Sequence, residues 1–210
     1  MMNTLQASAF KECHIMQRED IERFADTLAD GFSQYALFQY ICNDTYNRDK
    51  MFLFWKVTLA VCPKNAICIA DSKEANSVLV YYPPKSKDSG TLSYLKAGGL
   101  KLLFTFGPRM ISRLLRFKSE SEKAALQHKT DNDGYLMTFA TRIDKQGQHY
   151  GKPLIDALLR YLDASGEGCY LETLKATNVD LYKHFGFELK EQKTLEQGKL
   201  TLYAMCRPSK

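Results

Sequence analysis

A glycine-rich turn stands between two regular segments in the last third of the chain. The turn, DKQGQHYGK at 144–152, follows the apolar run YLMTFATRI and precedes a helical pattern, PLIDALLRYL. A turn leading from a strand into a helix offers free backbone N–H groups and the positive end of the helix dipole, which suits a phosphate group. The turn matches neither GxGxxG nor the GK[ST] of a P-loop, and glycines are common in loops. A phosphate site and an ordinary surface turn therefore both remain open on this pattern alone.

A second segment, NVDLYKHFGFE at 178–188, has a specific order of features. Asn178 is of the residue type that caps a helix, and Tyr182 and Phe185 follow at helical spacing. Gly186 is the residue type that best ends a helix in the left-handed conformation. The segment therefore predicts a short helix that presents a tyrosine one strand downstream of the glycine-rich turn.

The elements that must position these residues are clearest from Tyr135 onward. The order is a strand (YLMTFATRI), the turn, a one-sided helix, a strand (CYLETL), the short helix and two further strands (GFELKEQKTL and KLTLYAMCR). A strand, a helix and a strand in this rhythm predict a parallel crossover, and the last two strands predict an antiparallel pair. We therefore expect an α/β (α+β) fold with a mixed central sheet flanked by helices.

The upstream half predicts helices and one hairpin. Residues 1–16 are interpreted as a strand, and a helix is expected after Asp20, as its cap, up to Gly31. The run YALFQYICNDTYNRDKMFLFWKVTLAV predicts a short and a longer helix. AICIA and SVLVYY predict a hairpin that ends at Pro83 and Pro84, which cannot continue a ladder.

Residues 85–130 differ in character and predict a helical insertion before the next strand. A polar turn, KSKDSG, precedes a long helical pattern that is interrupted at Gly107 and Pro108. Within it three arginines share one helix face, and Met110, Ile111, Leu114 and Leu115 lie on the other. The arginines, Arg109, Arg113 and Arg116, indicate either the solvated face of a packed helix or a patch for anions or a membrane surface.

Composition narrows the class of protein. The chain has 210 residues, is 45% hydrophobic and shows no repeat, which predicts one domain over 1–210. Six cysteines without a CxxC pair or a His/Cys cluster predict reduced thiols and no metal site. Neither a leader pattern nor an apolar run of about 18 residues occurs, so we expect a cytoplasmic protein without membrane insertion. The net charge of +5 suits an anionic small molecule as well as nucleic acid.

Together, the turn and the second segment resemble the GNAT superfamily of acyl-CoA-dependent N-acetyltransferases. QGQHYG stands where the family has Q-x-x-G-x-G, and Asn178, Tyr182, Gly186 and Phe187 match N-x-x-x-Y-x-x-x-G-F. The resemblance covers Tyr135 to about Glu188. YLETLKATNVDLYKHFGFE is similar to the branch that contains puromycin N-acetyltransferase. The resemblance implies the GNAT fold, with the helical insertion before the CoA-binding strand and an acetyl-CoA-binding region over 134–192.

The family roles imply a set of cofactor-binding residues. Backbone amides from Gly147 to Lys152 would hold the pyrophosphate of acetyl-CoA, the cosubstrate, and the end of the 135–143 strand would pair with the pantetheine arm. Asn178 would contact that arm from the other side, and Tyr182 would face the thioester sulfur. The implied cofactor-binding residues are Thr138, Phe139, Ala140, Thr141, Gln146, Gly147, Gln148, His149, Tyr150, Gly151, Lys152, Asn178 and Tyr182.

Two positions depart from the family pattern. His149 stands where the family usually has glycine, and Pro153 stands where a residue with a free N–H is common. Histidine is enriched among non-glycine residues with positive φ, so His149 can occupy such a position. Pro153 is tolerable because N–H groups in the first helical turn have no intrahelical partner.

The resemblance also implies direct attack of an amine on the acetyl carbon in a ternary complex. An amine with a pKa of about 10.4 must first lose a proton, and Glu172, acting through water, is the first candidate base. A structural carboxylate is the equal alternative for Glu172. Tyr182 would donate a hydrogen bond to the departing sulfur, because proton transfer from a phenol of pKa about 10 to a thiolate of pKa about 8.5 runs uphill. His184 points to another side of its helix and is interpreted as a surface or packing residue.

The expected partners are CoA and a small-molecule amine, with no nucleic acid or membrane, in a monomer or homodimer. Aromatic residues of the first helices, the hairpin end and the insertion would line the acceptor pocket, or would simply be core. They are Tyr35, Phe38, Tyr40, Tyr81, Tyr82 and Phe104. Two other functions stay open: a non-catalytic or regulatory acyl-CoA-binding module, and nucleic-acid binding through the arginines.

Overall fold

A seven-stranded sheet forms the centre of the structure, a computed structural model that describes residues 4–43, 45–87 and 90–209. Its order is β1-β2-β3-β4-β5-β7-β6. The strands are β1 (His14–Ile15), β2 (Ile67–Ala70), β3 (Ser77–Tyr82), β4 (Asp133–Thr141), β5 (Gly168–Thr173), β6 (Glu188–Leu195) and β7 (Leu200–Arg207).

The pairing of the strands confirms the mixed sheet. β4 and β5 are parallel, and each of the other neighbouring pairs described is antiparallel, including the hairpin β2–β3 and the final pair β6–β7. β7 lies between β5 and β6. The chain therefore forms β6 at the edge of the sheet and then returns to form β7 between β6 and β5.

Eight helices of the described residues cover the two faces of the sheet. They are α1 (Thr4–Ala9), α2 (Ile21–Gly31), α3 (Ala36–Ile41), α4 (Arg48–Ala60), α5 (Thr91–Lys96), α6 (Gly99–His128), α7 (Lys152–Ser165) and α8 (Ala176–His184). Side chains of α2, α3, α4 and α6 build the core on one face, and side chains of α7 and α8, with Phe10 after α1, build it on the other. The expected helix, hairpin and insertion pattern is therefore confirmed from α2 onward.

Helix α7 carries the crossover from β4 to β5. Its apolar stripe of Leu154, Ile155, Leu158 and Leu162 is at most 1% exposed, and burial of each such side chain contributes roughly 1.5–3 kcal/mol. Gly166 ends the helix with φ +67°, where a side chain would be strained. The stripe fixes the start of α7, and with it the glycine-rich turn, against the sheet.

The expectation of a strand over residues 1–16 is wrong for most of the described part of that range. Thr4–Ala9 is helical, and only His14–Ile15 pairs with β2. Phe10 is fully buried, and its ring lies 5.5 Å from that of Tyr161 on α7. A distant helix therefore determines the structure of this segment.

Asp20 precedes α2 as expected, but its side chain does not cap that helix. The carboxylate instead accepts a hydrogen bond from the backbone amide of Gln17. It also bonds to the imidazole of His14 and accepts a hydrogen bond from the guanidinium of Arg23. It therefore joins the short 3-10 turn Arg18–Asp20 to β1.

The insertion is helical, as expected, and α6 is broken where the sequence predicts. Gly107 has φ +71° inside α6, and Pro108 follows it, a pair that removes a helical hydrogen bond and bends the axis. Residues 88 and 89 of the expected turn at KSKDSG lie outside the described residues, as does residue 44 of the connection NDTYNRDK. Within the described chain, no helix combines the length and apolar character that a membrane crossing requires.

Candidate active site

The strands β4 and β5 separate in the middle of the sheet. They pair only from Asp133–Tyr135 to Gly168–Tyr170, although β4 continues to Thr141 and β5 to Thr173. Beyond the pairing, the backbone N–H and C=O groups of β4 that face β5 have no strand partner within the described chain. An extended ligand with amide groups can pair with such an edge. We call this opening, bordered by 136–141 and 171–173, the β4–β5 cleft.

The residues of β4 expected to bind the pantetheine arm lie along this cleft. Met137 is the extra residue of a bulge opposite β3, between the pairs Thr138–Val80 and Leu136–Tyr81. Thr138 is buried and its hydroxyl has no hydrogen-bond partner in the described structure. A buried unpaired hydroxyl is costly, so a polar ligand group beside Thr138 would restore a partner. The donor set of the cleft therefore fits an amide-bearing arm.

The glycine-rich turn packs directly on the end of β4. A Cβ at Gly151 would lie 2.7 Å from Cζ of Phe139 and 3.3 Å from Oγ1 of Thr141. A real Cβ does not approach a neighbour this closely, so only glycine lets the start of α7 lie against the strand. The turn and the β4 edge are thus one continuous surface.

Within the turn, Gly147 and His149 have φ values of +75° and +64°. His149 therefore adopts the left-handed conformation expected of it, which a β-branched residue would resist. Pro153 lies in the first turn of α7. A backbone N–H at this position would have no partner inside the helix, so its absence in proline costs no helical hydrogen bond.

Four backbone amides of the turn are available to a ligand. Within the described chain, no hydrogen bond uses the N–H groups of Gly147, His149, Tyr150 and Gly151. The amide of Lys152, also expected in the cradle, donates to the carbonyl of His149 at 3.0 Å. Four amides without a bond, near the positive end of α7, have the donor character that an anion requires, and the backbone N–H of Lys152 is not one of them.

Other expected residues of the turn act inside it. Gln146 donates through Nε2 to the carbonyl of Thr141 at 3.1 Å, and Gln148 donates to the carbonyl of Asp144 at 2.8 Å. Both side chains thereby hold the loop in shape. The ammonium of Lys152 is exposed and lies 2.5 Å from a carboxylate oxygen of Asp156, which offsets its positive charge at the rim of the turn.

Asn178 does not cap α8, which corrects the expectation from its position. The helix starts at Ala176 with Lys175 as its N-cap residue, and Asn178 lies in the first turn. Its Nδ2 donates to Oγ1 of Thr173 at 3.2 Å. The end of β5 therefore positions the amide of Asn178 at the cleft.

Tyr182 lies in the next turn of α8, with its ring 5.6 Å from that of Phe187. Burial raises the pKa of Tyr182 well above its ordinary value, and the phenol of Tyr35 raises it further. The phenol therefore stays protonated at neutral pH and acts as a hydrogen-bond donor. No hydrogen bond in the described structure uses it.

Tyr35, in the loop between α2 and α3, joins the site more closely than its sequence context suggests. Its hydroxyl accepts a hydrogen bond from the amide of Leu174 at 2.6 Å and lies 3.3 Å from Oγ1 of Thr173. Burial raises the pKa of Tyr35, and the charge of Glu172 adds to that rise. Tyr35 therefore lies near both candidate catalytic residues.

The other hydrogen bonds of Thr173 indicate which hydroxyl donates in its contact with Tyr35. Oγ1 of Thr173 accepts from the amide of Lys175 at 3.3 Å and from Asn178 at 3.2 Å, which occupies both of its lone pairs. The hydroxyl of Thr173 then donates to Tyr35, and the proton of Tyr35 is not used by these bonds. Neither residue has a sequence signal for this role, because they are 138 positions apart.

Glu172 lies on the α6 side of β5 with both carboxylate oxygens bonded. Oε2 accepts from the hydroxyl of Ser121 on α6 at 2.5 Å, and Oε1 accepts from Tyr170 at 2.7 Å. Burial raises the pKa of Glu172, and these two hydrogen bonds offset part of the rise. The bonds suit a structural carboxylate, and the raised pKa suits a base, so the geometry is compatible with both roles.

The aromatic residues expected in the acceptor pocket do not form one cluster, although the rings of Tyr35 and Phe38 are neighbours at 6.3 Å. Tyr81 is fully buried on the α7 side of the sheet and donates to Glu167 at 2.8 Å, and Phe38 is core. Phe104 is 87% exposed. Of the six, Tyr35 alone contacts the end of β5 in the described structure. His184 contacts the ring of Phe185 and takes no part in the cleft.

No group of three or more His, Cys, Asp or Glu side chains that could hold a metal ion occurs among the described residues. The site is instead built from backbone amides, hydroxyls and one carboxylate. These groups can bind a phosphate, pair with an amide-bearing arm and donate or accept a proton at its end.

Known proteins that are similar to this chain include acetyltransferases. No family model matches the chain. A curated relative, an uncharacterized N-acetyltransferase of Schizosaccharomyces pombe, is 22% identical over 200 residues, which are 91% of this chain and 81% of the relative.

Two solved structures share the whole fold. One, described as histone acetyltransferase HPA2 and related acetyltransferase from Corynebacterium glutamicum, is 19% identical with a TM-score of 0.65 and covers 95% of this chain and 97% of its own. The other, an N-acetyltransferase from Staphylococcus aureus Mu50, is 16% identical with a TM-score of 0.56 and covers 92% and 98%. Together with the β4–β5 cleft and the turn before α7, these similarities show that the chain has the fold of these acetyltransferases, which is the fold that the sequence resemblance implies.

Proposed function

We propose that the chain transfers the acetyl group of acetyl-CoA to a primary amine of a small molecule, by direct attack in a ternary complex. The observation that carries this proposal is the continuity of the four free amides before α7 with the open edge of β4. The amides suit a pyrophosphate, and the edge suits the amide groups of a pantetheine arm. The arm would end between Tyr35, Tyr182 and Glu172.

At the acetyl end of the arm, Glu172, Tyr182 and Tyr35 would each have a separate role in the reaction. A carboxylate with a raised pKa, such as Glu172, is suited to take the proton of the amine through water. Tyr182, held protonated by burial, donates a hydrogen bond to the departing sulfur. The proton of Tyr35 is placed to stabilise negative charge that develops on the acetyl oxygen. Acetyl-CoA supplies the activated acetyl group and arrives as a substrate.

The experiment is release of free CoA thiol from acetyl-CoA by the purified protein, across a panel of small amines and peptide N-termini. We expect turnover with members of the small-amine group. Calorimetry with CoA runs in parallel. Tight CoA binding without turnover on the whole panel would favour the non-catalytic acyl-CoA-binding module instead, and turnover limited to peptides would replace the small-molecule acceptor. Failure to bind CoA would contradict the proposal at its first step.

A further inference from the structure

The insertion between β3 and β4 holds the excess positive charge of the whole chain. Residues 83–119 contain eight of the 29 Lys and Arg residues and one of the 24 Asp and Glu residues. The remaining residues therefore have 21 cationic and 23 acidic side chains and a slightly negative balance. Charge is thus segregated on one part of the molecule, and that part is the insertion.

The same insertion exposes large apolar side chains to solvent. On α5 and the first turns of α6 they are 42–87% exposed, with Phe104 the most exposed of the set. We call this surface the α5–α6 face; it comprises Leu92, Leu95, Leu100, Leu103 and Phe104. A concentration of exposed leucine and phenylalanine side chains on a globular domain marks a binding surface.

The α5–α6 face is held in place by the domain and left uncovered on its outer side. Phe106 and Met110 are buried, and the ring of Phe106 stacks on Phe54 of α4 at 6.1 Å. Gly98 lies against Val57 of the same helix. The inner side of α6 is therefore part of the core, whereas the leucines and Phe104 project away from it.

Cationic side chains lie within and beside the α5–α6 face. Lys96 and Lys101 are exposed among its leucines, and Lys85, Lys87 and Arg109 are exposed at neighbouring positions. Among the described residues, none of these five forms an ion pair. Arg113 and Arg116 differ, because both bond to Tyr40 on α3. The free cations thus accompany the apolar side chains.

This combination decides between possible occupants. A second copy of the chain would bring an equally cationic face, so that like charges would oppose association. An anionic lipid surface meets both features, because acyl chains accept the leucines and Phe104 while acidic headgroups accept the lysines. We propose that the α5–α6 face docks the protein peripherally on an anionic membrane. This proposal differs from the expectation of no membrane partner, and it is independent of the acetyl-transfer proposal.

Vesicle sedimentation tests the proposal on the whole protein. Vesicles of phosphatidylcholine alone are compared with vesicles of one part phosphatidylserine to two parts phosphatidylcholine. We expect binding to the mixed vesicles at low salt, little binding to phosphatidylcholine, and loss of binding as salt screens the lysines. The double variants Leu100→Ser/Phe104→Ser and Lys96→Glu/Lys101→Glu should each bind at least about tenfold more weakly.

Matched controls separate the face from general effects. Leu126 is 86% exposed on the far part of α6, so Leu126→Ser removes an exposed leucine elsewhere on the same helix. Lys11→Glu/Lys73→Glu changes two exposed lysines outside the insertion by the same total charge. Both controls should bind as the unchanged protein does. All variants alter exposed side chains, and circular dichroism confirms that they fold.

Three results would overturn the proposal. The first is absence of binding to the acidic vesicles at low salt, and the second is binding that the two double variants leave unchanged. The third is a dimer in sedimentation velocity that Leu100→Ser/Phe104→Ser dissociates without any vesicle binding, because a second copy would then occupy the face.

Discussion

The role of Tyr182 depends on where its proton is held. A phenol of pKa about 10 facing a thiolate of pKa about 8.5 already keeps its proton, and burial raises the pKa of Tyr182 further. We therefore expect hydrogen-bond donation to the sulfur and predict that Tyr182→Phe lowers kcat about a hundredfold. The ring contact with Phe187 is retained, so the Kd for CoA should stay the same. Steady-state kinetics and calorimetry measure the two quantities.

A matched control is Tyr161→Phe on α7, which removes a buried phenol that donates to Glu167 away from the cleft. Its turnover should equal that of the unchanged protein. If Tyr182→Phe also turns over normally, Tyr182 is a packing residue and has no part in the reaction.

The pH dependence tests Glu172. Its pKa is raised by burial, so a base at this position loses activity as pH falls through a range above the ordinary value for glutamate. We predict that Glu172→Gln lowers kcat about a hundredfold and abolishes this acidic limb of the kcat profile. A limb that persists in the variant belongs to another group and leaves Glu172 structural.

The pH dependence of the unfolding free energy tests the ionisation of Glu172 independently of activity. A carboxyl group with a raised pKa binds its proton more tightly in the folded state, so its ionisation lowers stability as pH rises from the unfolded to the folded pKa. Glu172→Gln removes that loss. Its stability relative to the unchanged protein should therefore increase with pH over this window, as urea unfolding at several pH values would show.

The hydroxyl of Tyr35 accepts a structural hydrogen bond from the amide of Leu174 and keeps a proton of its own. Stability and turnover of the variant Tyr35→Phe test these two functions of the hydroxyl. In Tyr35→Phe the amide of Leu174 loses its acceptor, which should cost about 1–3 kcal/mol of unfolding free energy. We predict that kcat falls as well, because the proton proposed to stabilise the acetyl oxygen is lost. Tyr46→Phe is the control, since that phenol likewise bonds to the backbone, by donating to the carbonyl of Ala29, but lies outside the group of residues bonded to Thr173. Equal kcat in both variants would limit Tyr35 to a structural role.

At the scale of elements, the turn before α7 acts through its backbone. A Cβ at Gly151 would meet Phe139 at 2.7 Å, so Gly151→Ala should displace the start of α7 and raise the Kd for CoA about tenfold, or 1.4 kcal/mol. His149→Gly keeps the left-handed conformation and the amide, so its Kd should stay within about twofold. Calorimetry with CoA measures both. Weak binding by His149→Gly would instead assign the imidazole a direct contact.

Local elements were predictable where a single period dominates the sequence. The stripe of α7 and the hairpin β2–β3 follow directly from their patterns. Segment 4–15 was not predictable, because its structure depends on Phe10 packing against Tyr161. Asn178 shows the same limit at a helix end: the residue type suits a cap, yet its bond to Thr173 determines its position.

The candidate site divides in the same way. The turn and Tyr182 lie in contiguous motifs, which a sequence displays directly. The bond between Tyr35 and the end of β5, and the bond of Ser121 to Glu172, join positions 138 and 51 residues apart. Such pairs depend on the packing of the whole molecule, and neither residue type nor spacing predicts them.

At the scale of the molecule, the three arginines of α6 show how the insertion is fastened to the domain. Arg113 donates to the carbonyl of Tyr40 at 2.6 Å, with its guanidinium 4.7 Å from that ring. Arg116 pairs with Glu196 at 3.2 Å but is 57% exposed, and Arg109 is exposed without an ion-pair partner in the described chain. Two of the three thus contact protein groups, as a structural role requires.

This arrangement predicts a graded loss of stability. Arg113→Ala should lower the unfolding free energy by about 1–3 kcal/mol, because a charged hydrogen bond and a cation–π contact are lost. Arg116→Ala should cost less, about 0.2–1 kcal/mol, since the guanidinium that bonds to Glu196 and Tyr40 is more than half exposed, and Arg109→Ala should be neutral within about 0.5 kcal/mol. Urea unfolding measures the series. Three equal, negligible losses together with salt-dependent retention on DNA would instead favour the arginines as a nucleic-acid site.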